Sequence, residues 1–160
     1  MTFRDRESNH RFEKVIAKLP VLLNSLQSSP SLSRDSLRGV PQRGVYAFYE
    51  NEVPIYVGRS NRLRQRLLEH GRKSALHNSA TFAFILAVEE AQKRDLVFPS
   101  KHRTPLQNVP EFRELFWQAK ERVKRMKIRV VEVADPIEQT VFEVYAALAL
   151  GTPYNDFGTH

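Results

Sequence analysis

The chain has 160 residues, 41% of them hydrophobic, 10% aromatic and 27% charged, a profile expected of one folded domain and not of a disordered chain. It contains no cysteine, which excludes disulfides, zinc ribbons, iron–sulfur clusters and thiol nucleophiles. Lys and Arg number 25 against 18 Asp and Glu, a net charge of +7, and the surplus is local: residues 59–73 carry +5 while residues 128–160 carry −4.

The opening segment MTFRDRESNHRFEK is too polar for a secretory leader. The absence of cysteine is consistent with a reducing, cytoplasmic setting, and no apolar run approaches the ~20 residues that span a bilayer, so no membrane partner is expected. In residues 8–27, Phe12, Ile16, Leu19, Leu22, Leu23 and Leu26 recur at helical spacing. Ser8 or Asn9 is the expected cap, and Pro20 is expected to kink or restart the helix. Residues 28–43, rich in Ser, Arg and Pro, read as a loop. Two runs of strand formers, 44–49 and 54–58, flank a polar tip at Glu50–Glu52 and predict an antiparallel hairpin whose second strand stops at Gly58.

Ser60 is placed to cap a helix NRLRQRLLEH closed by Gly71. Residues 79–94 carry β-formers but also four alanines and no break before EEAQKR; a helix capped by Ser79 is favoured. After a loop at 95–109, residues 110–126 predict an amphipathic helix with Pro110 in its first turn and an apolar stripe of Phe112, Leu115, Phe116, Ala119 and Val123. Its polar face carries Lys120, Arg122, Lys124, Arg125 and Lys127, which could lie along a phosphate backbone. Residues 128–133 read as a strand. Asp135 caps a final helix ended by Gly151. The order predicts an α+β protein, a small and mainly antiparallel sheet covered by helices.

No glycine-rich phosphate loop, nucleophile elbow or histidine zinc pair is present. What stands out is a concentration of phenols, guanidiniums and one imidazole. Tyr46 and Tyr56, on adjacent hairpin strands, are near-opposite and can share a face. Arg66 and His70, spaced i,i+4, share a helix face. Gly44 and Gly58 are read as leaving backbone open to a phosphate. A packing role for the tyrosines and a solvated face of arginines is the plainer alternative for any one of them.

The ordered set Gly44-Val45-Tyr46, Tyr56-Val57-Gly58, Arg59, Arg66, His70, Glu143 and Pro153-Tyr154-Asn155 resembles the GIY-YIG nuclease superfamily. The match covers residues 44–72 and 128–155, leaving 1–43 as an N-terminal helical extension and 73–127 as a helical insertion within one domain of residues 1–160. The resemblance implies a three-stranded antiparallel sheet flanked by helices, with strands at 44–49, 54–58 and 128–133. It also implies hydrolysis of phosphodiester bonds in DNA with one divalent ion, Mg²⁺ or Mn²⁺, held by Glu143. Tyr46, Tyr56, Arg66 and His70 complete the implied catalytic set. In that scheme Arg66 stabilises the transition state, Tyr56 positions phosphate or water, and either Tyr46 or His70 takes the nucleophile's proton. A phenol of ordinary pKa ≈ 10 needs cationic neighbours for this; Arg66, the metal and His70 are the ones considered. Arg59, Arg62, Lys73 and Asn155 are assigned to the nucleic-acid surface, Asn155 with an equal claim to a structural or turn role. Glu138 is a rival acid on the same helix, but it lies on a different face, and the spacing to Asn155 favours Glu143. Two other readings remain: a non-catalytic nucleic-acid-binding module using the Arg-rich helix, and an interaction domain with helix 110–126 as its surface. Limited sequence specificity is expected; a homodimer is compatible but not indicated.

Overall fold

A computed structural model describes residues 3–98 and 102–157, with side chains from residue 10 onward. In chain order the elements are α1 (Phe3–Ser28), β1 (Gly44–Glu50), β2 (Val53–Ser60), α2 (Leu63–His70), α3 (Thr81–Lys93), α4 (Arg103–Leu106), α5 (Pro110–Arg125), β3 (Lys127–Glu132) and α6 (Pro136–Leu150). The architecture is α+β, as expected, with an open three-stranded antiparallel sheet in the order β2-β1-β3. Among the described residues, no helix is long and apolar enough to cross a membrane.

Contacts divide the chain into two compact units: residues 1–31, 39–63 and 128–160 form one, residues 32–38 and 64–127 the other. The charge divides with them. The second unit carries sixteen Lys and Arg against eight Asp and Glu, a net +8, and the first carries nine against ten, a net −1.

In the first unit, β1 and β2 pair from Gly44↔Ser60 to Glu50↔Val53. The tip is tighter than expected. Asn51 and Glu52 both take positive φ, 51° and 63°, which turns the chain in two residues with the twist that a hairpin demands. β2 runs through Gly58 to Ser60, because Gly58 keeps its place opposite Tyr46 in the ladder. Val45, Ala47, Tyr49 and Val57 alternate onto one face and pack with Leu19, Leu26, Phe142 and Ala146 of α1 and α6.

α1 begins at Phe3, so Ser8 and Asn9 lie within it and not at its start, and it continues through Pro20 without restarting. Pro20 is on the exposed side, where the carbonyl it deprives of a donor can be hydrated. The buried stripe also differs from expectation: Val15, Leu19 and Leu26 face the core while Phe12 and Ile16 are exposed. The Asp135 carboxylate caps α6 by accepting from the amides of Ile137 and Glu138, both at 2.9 Å, and Gly151 closes the helix at φ 63°. These two signals were complete in the sequence.

In the second unit, the ambiguous segment is the helix α3. Its N-cap is Ala80, not Ser79, with no side-chain cap. α3 packs on α5 through Phe84, Phe112 and Phe116, with ring centroids 5.1 Å apart for Phe84–Phe112 and 5.7 Å for Phe84–Phe116. α4 forms a short turn of helix inside the expected loop. At the end of α2, Arg34 Nη2 donates to the Leu68 carbonyl at 2.7 Å, satisfying a terminal acceptor with a cation as the helix dipole favours.

Candidate functional site

The two glycines of the paired tripeptides are not open to a ligand; each is filled by protein. Gly44 sits at φ 154°, and a Cβ there would lie 2.0 Å from the Val131 carbonyl oxygen. Only glycine lets β1 come this close to β3. A Cβ on Gly58 would lie 2.4 Å from Cζ and Oη of Tyr46. The Tyr46 ring therefore lies across Gly58, its direct partner in the ladder. That contact explains physically why a tyrosine in the first tripeptide goes with a glycine in the second.

Tyr46 and Tyr56 do share a face, as diagonal neighbours: Tyr56 pairs with Phe48, and the two tyrosine rings are 6.5 Å apart between centroids. Phe48 meets the Tyr46 ring edge-on at 5.7 Å. This aromatic set fixes Tyr46, which is only 1% exposed. Tyr56 is half-buried.

Arg59, two residues after Val57 on β2, lies on the same face as Val57, and its Nε donates to Glu143 Oε2 at 2.9 Å. Glu138 is held elsewhere, by Lys18 of α1. Both carboxylates are half-buried, Glu138 beside Lys18 and Glu143 beside Arg59. The side-chain amide of Asn155 clasps the strand next door. Its Nδ2 donates to the Val57 carbonyl at 2.8 Å, and its Oδ1 accepts from the Val57 amide at 2.7 Å and from Thr152 Oγ1 at 2.8 Å. Asn155 thus satisfies both backbone groups of a residue on the sheet's outer strand and anchors the tail, as Tyr154 does by donating its amide to the Ile55 carbonyl. Its side chain thus has structural work, tying the chain after α6 to β2.

Arg66 and His70 lie on α2 and belong to the second unit. Arg66 Nη1 donates to the Ser79 carbonyl at 3.0 Å. His70 is 0% exposed, and its pKa falls well below the ordinary imidazole value through burial first and the Arg66 guanidinium second. At neutral pH it is therefore uncharged. It cannot be one of the cations considered for lowering a tyrosine pKa, and it is a weak base. Because the folded pKa lies below the unfolded one, protons favour the unfolded chain as pH drops. Stability measured by denaturant titration is expected to lose nothing from His70 above pH ~6.5, and to fall below it by up to ~1.4 kcal/mol per pH unit. The difference between wild type and His70→Gln isolates that slope; identical pH profiles would refute it.

Arg62 and Lys73 are exposed. Ser60 Oγ accepts from the Arg62 amide at 2.9 Å, a turn just before α2 rather than a cap on its first residue. The basic face expected on the helix at 110–126 is reduced. Lys120 is 5% exposed, donates to the carbonyls of Lys73 and Ala75, and lies 4.0 Å from the Phe116 ring centroid. Its position four residues after Phe116 and three before Val123 already put it on the apolar side. Lys124 is engaged by Glu121, and Lys127 starts β3. Trp117, the chain's single tryptophan, has no motif around it in the sequence and is 40% exposed.

Among the described residues, no three His, Asp or Glu side chains gather as a metal cage. The donor set that the resemblance implies is smaller, one hard carboxylate. Glu143 supplies it in a half-buried position already paired with a cation. That suits Mg²⁺ or Mn²⁺, ions that keep several waters and bind through few protein groups plus substrate phosphate. Comparison of the chain with known protein families, with curated proteins and with solved structures finds no match.

Proposed function

We propose that this chain is a divalent-metal-dependent endonuclease of the GIY-YIG type, hydrolysing phosphodiester bonds of DNA with limited sequence specificity. One observation carries the reading. Glu143 and Asn155, separated by 84 residues from Arg59 and by 98 from Val57 respectively, both reach β2 within the stretch Val57–Arg59. Three parts of the ordered motif set thus meet at one strand end. The +8 charge of the second unit, which includes α2, supports a polyanionic partner.

In this reading Glu143 holds the metal, and Arg59, paired with that carboxylate, engages a neighbouring phosphate. Arg66 offers its guanidinium to the phosphate as charge builds on it in the transition state. Tyr56, the more accessible phenol, orients water or phosphate, and Tyr46 or His70 receives the nucleophile's proton. A bound divalent ion supplies electrostatic stabilisation of the phosphate and the leaving oxygen. The cytoplasmic location stays part of the proposal.

The near-complete burial of Tyr46 and His70 favours a second reading, a non-catalytic nucleic-acid-binding module. A cleavage panel over single-stranded, duplex, branched and RNA substrates separates the two. Mg²⁺- or Mn²⁺-dependent cutting, stopped by EDTA, is expected on at least one DNA substrate. Salt-sensitive binding with no cutting in any metal would establish the binding module instead.

A further inference from the structure

The second unit contains a groove of about 640 Å³ between α5 and the turn that follows α2. Neither the proposed catalytic groups nor the metal ligand lie in it. Trp117 and Leu76 give it apolar walls, and both are exposed. Lys73 and Arg113 line it with exposed cations, and the buried ammonium of Lys120 sits in its lining, fixed by two backbone carbonyls and the Phe116 ring. Glu114 is the one acid in the lining, and it accepts from Gln118 Nε2 at 3.0 Å. Asn108 adds an amide at the rim.

Each feature answers to one ligand chemistry. An indole with an accessible face is a platform on which any nucleobase can stack. Two exposed cations within the same groove can meet the phosphates on either side of that base. The volume falls within the range of sites that enclose a small organic group. The groove also belongs to the unit that holds the whole positive surplus of the chain, so its electrostatic complement is a polyanion. A neutral apolar ligand or an acid-poor protein surface would leave Lys73 and Arg113 without purpose. A duplex keeps its bases stacked inward and offers the indole nothing.

We infer that this groove binds single-stranded nucleic acid, with one unpaired base stacked on Trp117 and the flanking phosphates held by Lys73 and Arg113. The inference rests on the nucleic-acid reading above and deepens it, because it selects substrates with an unpaired segment over continuous duplex.

Since Trp117 is the only tryptophan, its fluorescence reports groove occupancy directly. The 160-residue chain is titrated in EDTA with a short oligothymidylate and, separately, with a duplex of equal length. Quenching by the single strand and little by the duplex is expected. Fluorescence anisotropy of the labelled single strand should then show Trp117→Ala binding about 10- to 100-fold more weakly and Trp117→Phe close to wild type. The combined Arg113→Gln, Lys73→Gln variant should show a shallower salt dependence. Circular dichroism confirms that each variant is folded. The inference is overturned if the bound single strand leaves Trp117 fluorescence unchanged, if duplex quenches equally, or if folded Trp117→Ala binds as wild type. Quenching without cleavage in any metal would sink the nuclease reading and leave the groove standing. Cleavage without quenching would sink the groove alone.

Discussion

Glu143→Ala is expected to lower metal-dependent cleavage by about three orders of magnitude or more while leaving DNA affinity nearly intact. The separation follows from where the charges are. Affinity for DNA comes mainly from neutralised phosphates, and the positive surplus lies wholly in the second unit. Glu143 belongs to the first unit, which has a slight negative excess. Removing it also releases Arg59 from its 2.9 Å ion pair, so affinity should hold or rise slightly. Fold stability should change little, because the pair is partly exposed and such pairs contribute at most ~1 kcal/mol. The measurement is cleavage rate against metal concentration, set beside binding in EDTA for the same preparation. Undiminished cleavage by the alanine variant would remove Glu143 from the metal-ligand role. A parallel loss of binding would mean that the residue shapes the surface instead of the chemistry.

The second large effect is on folding. Gly44→Ala is expected to destabilise the chain by about 4 kcal/mol or more, enough to leave little folded protein. Two costs add at this position. A φ of 154° is one that side-chain-bearing residues rarely adopt, and the added methyl would lie 2.0 Å from a backbone carbonyl in the neighbouring strand. The strand cannot yield, because β1 is central in the sheet and paired on both sides. Gly39 is the control. It also has a positive φ, 81°, but nothing lies within 4 Å of the place its methyl would take, so Gly39→Ala should cost only about 1 kcal/mol. Chemical denaturation of the two variants side by side tests the difference; equal midpoints would show that the close approach to Val131 is not a constraint.

Local chemistry announced much of the fold. The hairpin was legible because aromatic and β-branched residues flank a short polar tip, and α6 because Asp135 and Gly151 mark both its ends. The stripe of α1 was not legible in detail. Phe12 and Ile16 compete with Val15 for the same helical periodicity, and only the position of α6 and the sheet decides which face is buried. The same limit applies to the glycines. What fills the space at Gly58 is Tyr46 and at Gly44 is Val131, both brought there by strand pairing. In the site, the family resemblance singled out Arg59, Glu143 and Asn155, and the structure joins Arg59 with Glu143 and Asn155 with Val57. The depth of Tyr46 and His70 was hidden, since burial depends on elements far along the chain. Trp117 carries no local signature in the sequence, being one exposed aromatic on an amphipathic helix; its meaning comes from the cations around it.

The interleaving of the two units has a consequence for biosynthesis. The core of the first unit draws on α1, near the start of the chain, and on α6, near its end. The ribosome therefore releases the hairpin and the entire second unit before α6, which packs on both α1 and the hairpin, exists. The hairpin is local and can pair early, while β3 must return to β1 across an intervening stretch that includes all of residues 64–127. Chains that end before residue 128 should thus expose the apolar faces of α1 and the hairpin that α6 covers. That is the species a chaperone would meet, and the one from which aggregation would start.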